Sequence, residues 1–215
     1  MLLHQFTSKQ HVLKLYAETK DKIIIAKDTG ASHAKHYAVV SVPEYAKLLR
    51  RDHHLYCLVP SGTLVKNYLD IDDVTSPTEE ISVKYIQNLI DDYVAHFKLD
   101  CGKNILKITS HGVSVKKNVQ KYSYTIIFPD YYFKDNQVQK AAINDFLFNY
   151  PSYKDVLDTV VYSTFQCFRA VRQTKYGDPR PNKLTTMHKT RDAILCDVDE
   201  SKMTLFPFEA KILHK

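Results

Sequence analysis

The feature that most limits how this chain can fold is the order of its periodic segments between residues 64 and 171. Leu64–Ile71 is a strand-like run that ends in acids. Ser76-Pro77-Thr78-Glu79 follows: an N-cap serine, a proline at the first helical position and a glutamate three residues on, which together read as a capping box. The helix it opens carries Ile81, Tyr85, Ile86, Leu89, Ile90, Tyr93 and Val94 on one stripe and runs to about Phe97. Ile105–Ile108 and Tyr122–Phe128 are β-branched and aromatic enough for strands, separated by a polar, basic segment from Ser110 to Lys121. Asn136–Asn149 reads as a second helix, stopped ahead of Pro151.

Val160–Tyr162, Phe168–Val171, Leu184–Met187 and Ala193–Val198 then read as further strands. Strand, helix, strand, strand, helix, strand is a split βαβ, or RRM-like, order, so the expected class is α+β. Ahead of it, Ser8–Thr19 has helical spacing, and Lys22–Ala26 and Tyr37–Val42 read as strands. Pro43 suits a first helical turn ahead of Glu44–Arg51, and Leu55–Val59 is another strand closed by Pro60-Ser61-Gly62. The expectation is a single domain over 1–215, with an N-terminal α/β unit at 1–63 and an RRM-like module at 64–215. A chain of this length can bury one sizeable core, and no Gly-, Pro- or Ser-rich linker interrupts it.

Charge is unevenly distributed. From Asp70 to Asp100 there are eight acids and two bases, whereas from Gln166 to Arg191 there are seven bases and one acid. An acidic stretch suits cations and a basic one suits phosphates, although two solvated surfaces of opposite sign would look the same. Met1–Phe6 lacks the pattern of a secretory signal, and no apolar run approaches the roughly 20 residues that span a bilayer. Cys57, Cys101, Cys167 and Cys196 are far apart and form no Cys-x-x-Cys pair. The expectation is a soluble, intracellular protein with no membrane partner and no structural zinc.

Three segments carry chemistry. In Asn67–Asp73, alternation sends Asp70 and Asp72 to one face and Leu69 and Ile71 to the other, with the carboxylates about 7 Å apart and able to share divalent cations. An isolated Asp-x-Asp is equally a strand running into an acidic turn, and it also occurs in glycosyltransferases. In Lys121–Phe128, Lys121, Ser123 and Thr125 share a face that offers an ammonium and two hydroxyls, a suitable lining for a triphosphate. In the third, Asp158 precedes Thr159-Val160-Val161-Tyr162, and Phe168-Arg169 and Lys175 return basic groups that could neutralise phosphate charge.

Taken in order, these residues resemble the archaeo-eukaryotic primase superfamily, particularly the primase-polymerases and the primase domains of large DNA virus primase-helicases. That family carries a strand ending in Asp-x-Asp or Asp-x-Glu, then Lys-x-Ser-x-His, then an Asp opening a strand with Val-Tyr, then Phe-Arg and a Lys. The matching residues are Asp70 and Asp72, Lys121 and Ser123, Asp158 and Tyr162, and Arg169 and Lys175. The resemblance implies the primase fold and template-directed nucleotidyl transfer, with Asp70, Asp72 and Asp158 holding two Mg²⁺ or Mn²⁺ ions. Lys121, Ser123, Thr125, Arg169 and Lys175 would contact the NTP or dNTP. Arg50, Arg51, Lys116, Lys117, Arg172, Arg180 and Lys183 are candidates for the backbone of a DNA template, and a helicase or accessory subunit is an implied partner. One position departs from the pattern: the family's histidine falls at Thr125, which has a donor but no charge. His111 is a possible substitute, and a catalytically weakened, primase-like nucleic-acid-binding protein is the alternative reading.

Overall fold

The computed structural model describes residues 7–19, 22–30, 34–102, 104–115 and 118–209. Lys116, Lys117 and the Met1–Phe6 segment lie outside the described residues. The fold is α+β, the described residues forming four α-helices and strands gathered into two largely antiparallel sheets.

The smaller sheet has the order β2 (Lys35–Ser41), β1 (Lys22–Asp28), β3 (Leu55–Pro60), β8 (Phe165–Arg169). The amino-terminal unit expected over 1–63 is therefore completed by a strand from much later in the chain. Helix α1 (Lys9–Ala17) buries Val12 against Ile24 and Leu58. Helix α2 (Val42–Leu48) starts where β2 stops, because Ser41 and Glu44 exchange capping-box hydrogen bonds around Pro43.

The larger sheet is built on β7 (Gln120–Phe133), flanked by β4 (Val65–Asp73) on one side and β5 (Leu106–Thr109) on the other, both antiparallel to it. Short strands β6 (Gly112–Val113), β9 (Lys183–Leu184) and β10 (Thr204–Leu205) extend it, the last parallel to β7. Helices α3 (Glu79–Phe97) and α4 (Asn136–Asn149) pack behind it, burying Ile86, Leu89, Ile90 and Tyr93 from α3 and Ala142, Ile143 and Phe146 from α4 against Leu69, Ile71 and Phe128. Among the described residues no helix is long and apolar enough to cross a membrane.

Several expected elements take other forms. Helix α3 is capped by Thr78, not Ser76: the Asp73 carboxylate captures the backbone N–H groups of Thr75 (2.9 Å) and Ser76 (3.0 Å), so the chain turns once more before the helix begins. Val160–Tyr162 is a turn. Asp158 Oδ1 accepts from the Val160 N–H at 2.8 Å, and α4 side chains satisfy the carbonyls: Asn136 donates to Val161 and Gln137 to Tyr162. The strand expected at Phe168–Val171 starts and ends earlier, as β8, and belongs to the smaller sheet. Beside β4, in place of the fourth strand of the split βαβ order, stands a single bridge from Ile71 to Leu157. Leu184–Met187 keeps only Lys183–Leu184 as strand, and Ala193–Val198 is irregular after a 3₁₀ turn at Thr190–Ala193, held by local bonds such as Asp197 N–H to the Ile194 carbonyl.

Candidate functional site

The register of β4 against β7 builds one wall of a cleft of about 1060 Å³: Asp70 stands opposite Thr125 and Asp72 opposite Ser123. Alternation keeps Leu69 and Ile71 fully buried while the two aspartates face the cleft. Thr125 Oγ1 lies 3.4 Å from Asp70 Oδ1, Ser123 Oγ donates to Asp72 Oδ1 at 2.9 Å, and the Lys121 ammonium holds Asp72 Oδ2 at 2.5 Å.

Buried polar groups fix this wall from behind. The Tyr68 carbonyl accepts from Gln139 Nε2 (2.7 Å) and the Tyr162 hydroxyl (3.0 Å), and Tyr93 donates to Asn67 at 3.0 Å. The turn that presents Asp158 is tied to the same strand, since the Asp158 N–H donates to the Asp70 carbonyl at 2.9 Å and the Asp72 N–H to the Val156 carbonyl at 2.8 Å. Burial, with the charges of Asp72 and Asp158 behind it, pushes the Asp70 carboxyl up to about 7, despite Lys121 and Arg169.

The opposite wall comes from the smaller sheet and the irregular segment after it. Arg169 reaches from β8, its Nη1 donating to the Arg180 carbonyl (2.9 Å) and its Nη2 to Ser110 Oγ (3.0 Å). Burial lowers the pKa of its guanidinium. Arg180 is itself in the cleft, forked onto Asp178 (Nη2–Oδ2 2.6 Å), with Nη1 buried and without a partner. Its aliphatic stem lies over Gly112 (φ 141°), where an added Cβ would come within 3.0 Å of Arg180 Cδ.

Asp70, Asp72, Asp158, Lys121, Ser123, Thr125, Arg169 and Lys175 all line this one cleft. Of the described residues expected on a template backbone, only Arg180 lines it. Arg50 and Arg51 are exposed after α2, Arg172 is exposed at φ 66°, and Lys183 is exposed on β9. His111 does not substitute for the missing histidine: it packs against the rings of Tyr124 (4.6 Å) and Tyr122 (5.6 Å), away from the cleft lining, and burial lowers its pKa.

Sequence reasoning missed a cluster on the smaller sheet. Asp28, 2% exposed, accepts from Lys35 Nζ (2.5 Å) and the Tyr56 hydroxyl (2.7 Å), with the Lys35 ammonium 3.6 Å from the Tyr56 ring centre. Lys35 and Tyr56 both line the cleft. The one signal for it was a charged pair, Lys27-Asp28, closing an apolar strand.

Among the described residues no three carboxylate, thiol or imidazole groups form a ready-made metal-ligand cluster. The donor set nevertheless has the chemistry of hard divalent cations, because three carboxylates line one cleft and Asp70 is buried against like charge. Neither a protein-family model nor a curated protein matches this chain in sequence.

Proposed function

We propose that the chain is the catalytic domain of a DNA primase or primase-polymerase, with the RRM-like core and primase fold that its sequence resembles, joining nucleotides on a DNA template. The observation that carries this reading is the single cleft in which carboxylates from one sheet meet cations from the other. Asp70, Asp72 and Asp158 would hold Mg²⁺ or Mn²⁺, which when bound supplies charge neutralisation and activation of a hydroxyl for attack on an α-phosphate. Lys121, released from Asp72, would turn its ammonium to the triphosphate, and Ser123 and Thr125 would offer hydroxyl donors beside it. Arg169, already oriented by Ser110 and the Arg180 carbonyl, needs no reorganisation to meet charge that builds on the phosphates. Lys175 would add positive charge at the same wall, beside an Arg180 already paired with Asp178. A helicase or accessory subunit is the further partner the resemblance implies.

Primer extension with Mg²⁺ or Mn²⁺ tests the reading. Wild type should extend a labelled primer and Asp70→Ala should not, with a loss of about a thousandfold or more. A wild-type chain inert with either metal while still binding DNA would favour the second reading, a primase-like binding protein with a weakened site. Two observations favour that reading: an uncharged Thr125 beside Asp70, and an Asp72 already neutralised by Lys121.

A further inference from the structure

The first residues of α4 tie together segments that lie far apart in the sequence. Asp135, the N-cap, accepts from the Gln137 N–H on one oxygen, and from the Ser61 hydroxyl and the Gly62 N–H on the other. Asn136 comes next and is fully buried. Its Nδ2 donates to the carbonyls of Val161 (3.3 Å) and Ser163 (3.0 Å), and its Oδ1 accepts from the Tyr68 hydroxyl at 3.0 Å. Two carbonyls on one side and a hydroxyl donor on the other fix the orientation of the amide. Neither a carboxylate nor an alkyl side chain of that size can serve both. Gln137 Nε2 adds a bond to the Tyr162 carbonyl at 2.8 Å.

Those carbonyls belong to the turn that presents Asp158. Ahead of the turn, Asp158 is held to β4 by the Ile71–Leu157 bridge and by its own N–H on the Asp70 carbonyl (2.9 Å). After it no strand pairing takes over, since 161–163 belong to no strand. The bonds to these carbonyls come from side chains, namely Asn136, Gln137 and the Tyr68 hydroxyl, which also reaches Val161 at 3.2 Å. Tyr68 stands two residues before Asp70 on the same face of β4, so the tie runs to the strand that carries the other two carboxylates. The placing of Asp158 against Asp70 and Asp72 therefore depends on two amide side chains that do not line the cleft.

We propose that Asn136, assisted by Gln137, is a positioning residue that sets Asp158 in place to share a cation with Asp70 and Asp72, an inference that rests on the metal reading of the cleft. A carboxylate on a loose turn must be ordered when the cation arrives, and that ordering opposes binding. A carboxylate already held in place avoids the loss. Asn136 acts through Asp158 and touches neither metal nor nucleotide.

The test is a double-mutant cycle on the full chain, read by Mn²⁺ titration with electron paramagnetic resonance. Asn136→Ala should weaken Mn²⁺ binding about tenfold. Gln137 is exposed, so Gln137→Ala leaves the core intact and keeps the cycle open even where Asn136→Ala does not fold. It should weaken binding about threefold, the effect of one hydrogen bond. In an Asp158→Ala background neither substitution should weaken Mn²⁺ further, because the carboxylate they position is gone. Equal weakening in both backgrounds marks a general structural role and overturns the proposal, as does wild-type affinity in the folded variants. Amide hydrogen exchange without metal separates the positioning from the metal reading. The Asp158 and Val160 N–H groups should exchange faster, about tenfold in Asn136→Ala and threefold in Gln137→Ala. The Leu69 and Ile71 amides of β4, paired with β7, should keep their wild-type rates. A wild type that binds no Mn²⁺ refutes the metal reading. Faster exchange at Asp158 then still identifies Asn136 as the residue that holds it, and unchanged exchange refutes both.

Discussion

Asp70 lines the cleft on the larger sheet, Asp28 lies behind the cleft-lining Lys35 and Tyr56 on the smaller one, and their surroundings treat the two acids oppositely. On the smaller sheet, burial would raise Asp28, but Lys35 and Tyr56 donate to its two oxygens and hold it below the usual carboxylate range. On the larger sheet, burial and then two carboxylate neighbours push Asp70 up to about 7, with only one long contact from Thr125 on its oxygens. Asp28 is a finished ion pair that organises Lys35 and Tyr56. Asp70 is electrostatically incomplete, and a divalent cation would relieve it. Under the proposed reading the larger sheet would hold the metal and the smaller sheet would supply positioning cations.

Removing a cation from the positioning wall should break that division of labour most severely. Arg169→Ala should lower primer extension by about a hundredfold, close to 3 kcal/mol of transition-state stabilisation, with metal affinity not weakened in a Mn²⁺ titration, since a cation near Asp70 has been removed. Asp73, next to the incomplete acids, is by contrast fully partnered on one oxygen. Burial raises it, but donors from Ser76 and Thr75 outweigh that and hold it at about 2. Because its folded value lies below the unfolded one, its contribution of about 2 kcal/mol is complete above pH 4 and is lost as pH falls from about 4 to 2. Chemical denaturation across that range should show an acid limb that Asp73→Asn flattens. Tyr162→Phe removes one of two donors to the Tyr68 carbonyl and should cost about 1 kcal/mol by the same measurement, the carbonyl still being satisfied by Gln139. Thr125→His, which restores the residue of the resembled family, should improve dNTP affinity by about two- to fivefold, the smallest effect, read as a fall in KM during extension.

The larger sheet's wall was legible because its information is local. Asp70 with Asp72, and Lys121 with Ser123 and Thr125, lie on long alternating strands whose period of two fixes which side chains share a face. The smaller sheet's wall was legible only at Arg169, through its Phe-Arg motif; Lys35 and Tyr56 come from β2 and β3, and no local pattern states that β8 will pair with β3 and bring them beside it. The sequence groups Arg180 with the template-backbone cations and not with the cleft, because nothing in its neighbourhood reveals that Gly112 leaves room for its stem. Val160–Tyr162 has strand composition, yet the Asp158 carboxylate and two side chains of α4 take the backbone groups a ladder would have used. Local side-chain capture also moved the start of α3 from Ser76 to Thr78.

The central claim is that Asp70, Asp72 and Asp158 form a divalent-metal site with triphosphate-binding groups around it. Crystals of the protein soaked with Mn²⁺ and a non-hydrolysable nucleoside triphosphate test it most directly, through anomalous scattering. The account predicts Mn²⁺ density touching those three carboxylates, the Lys121 ammonium moved off Asp72 and onto a phosphate, and Arg169 in contact with the same triphosphate. Saturating Mn²⁺ that leaves the Lys121–Asp72 pair intact and the three carboxylates without metal would contradict it.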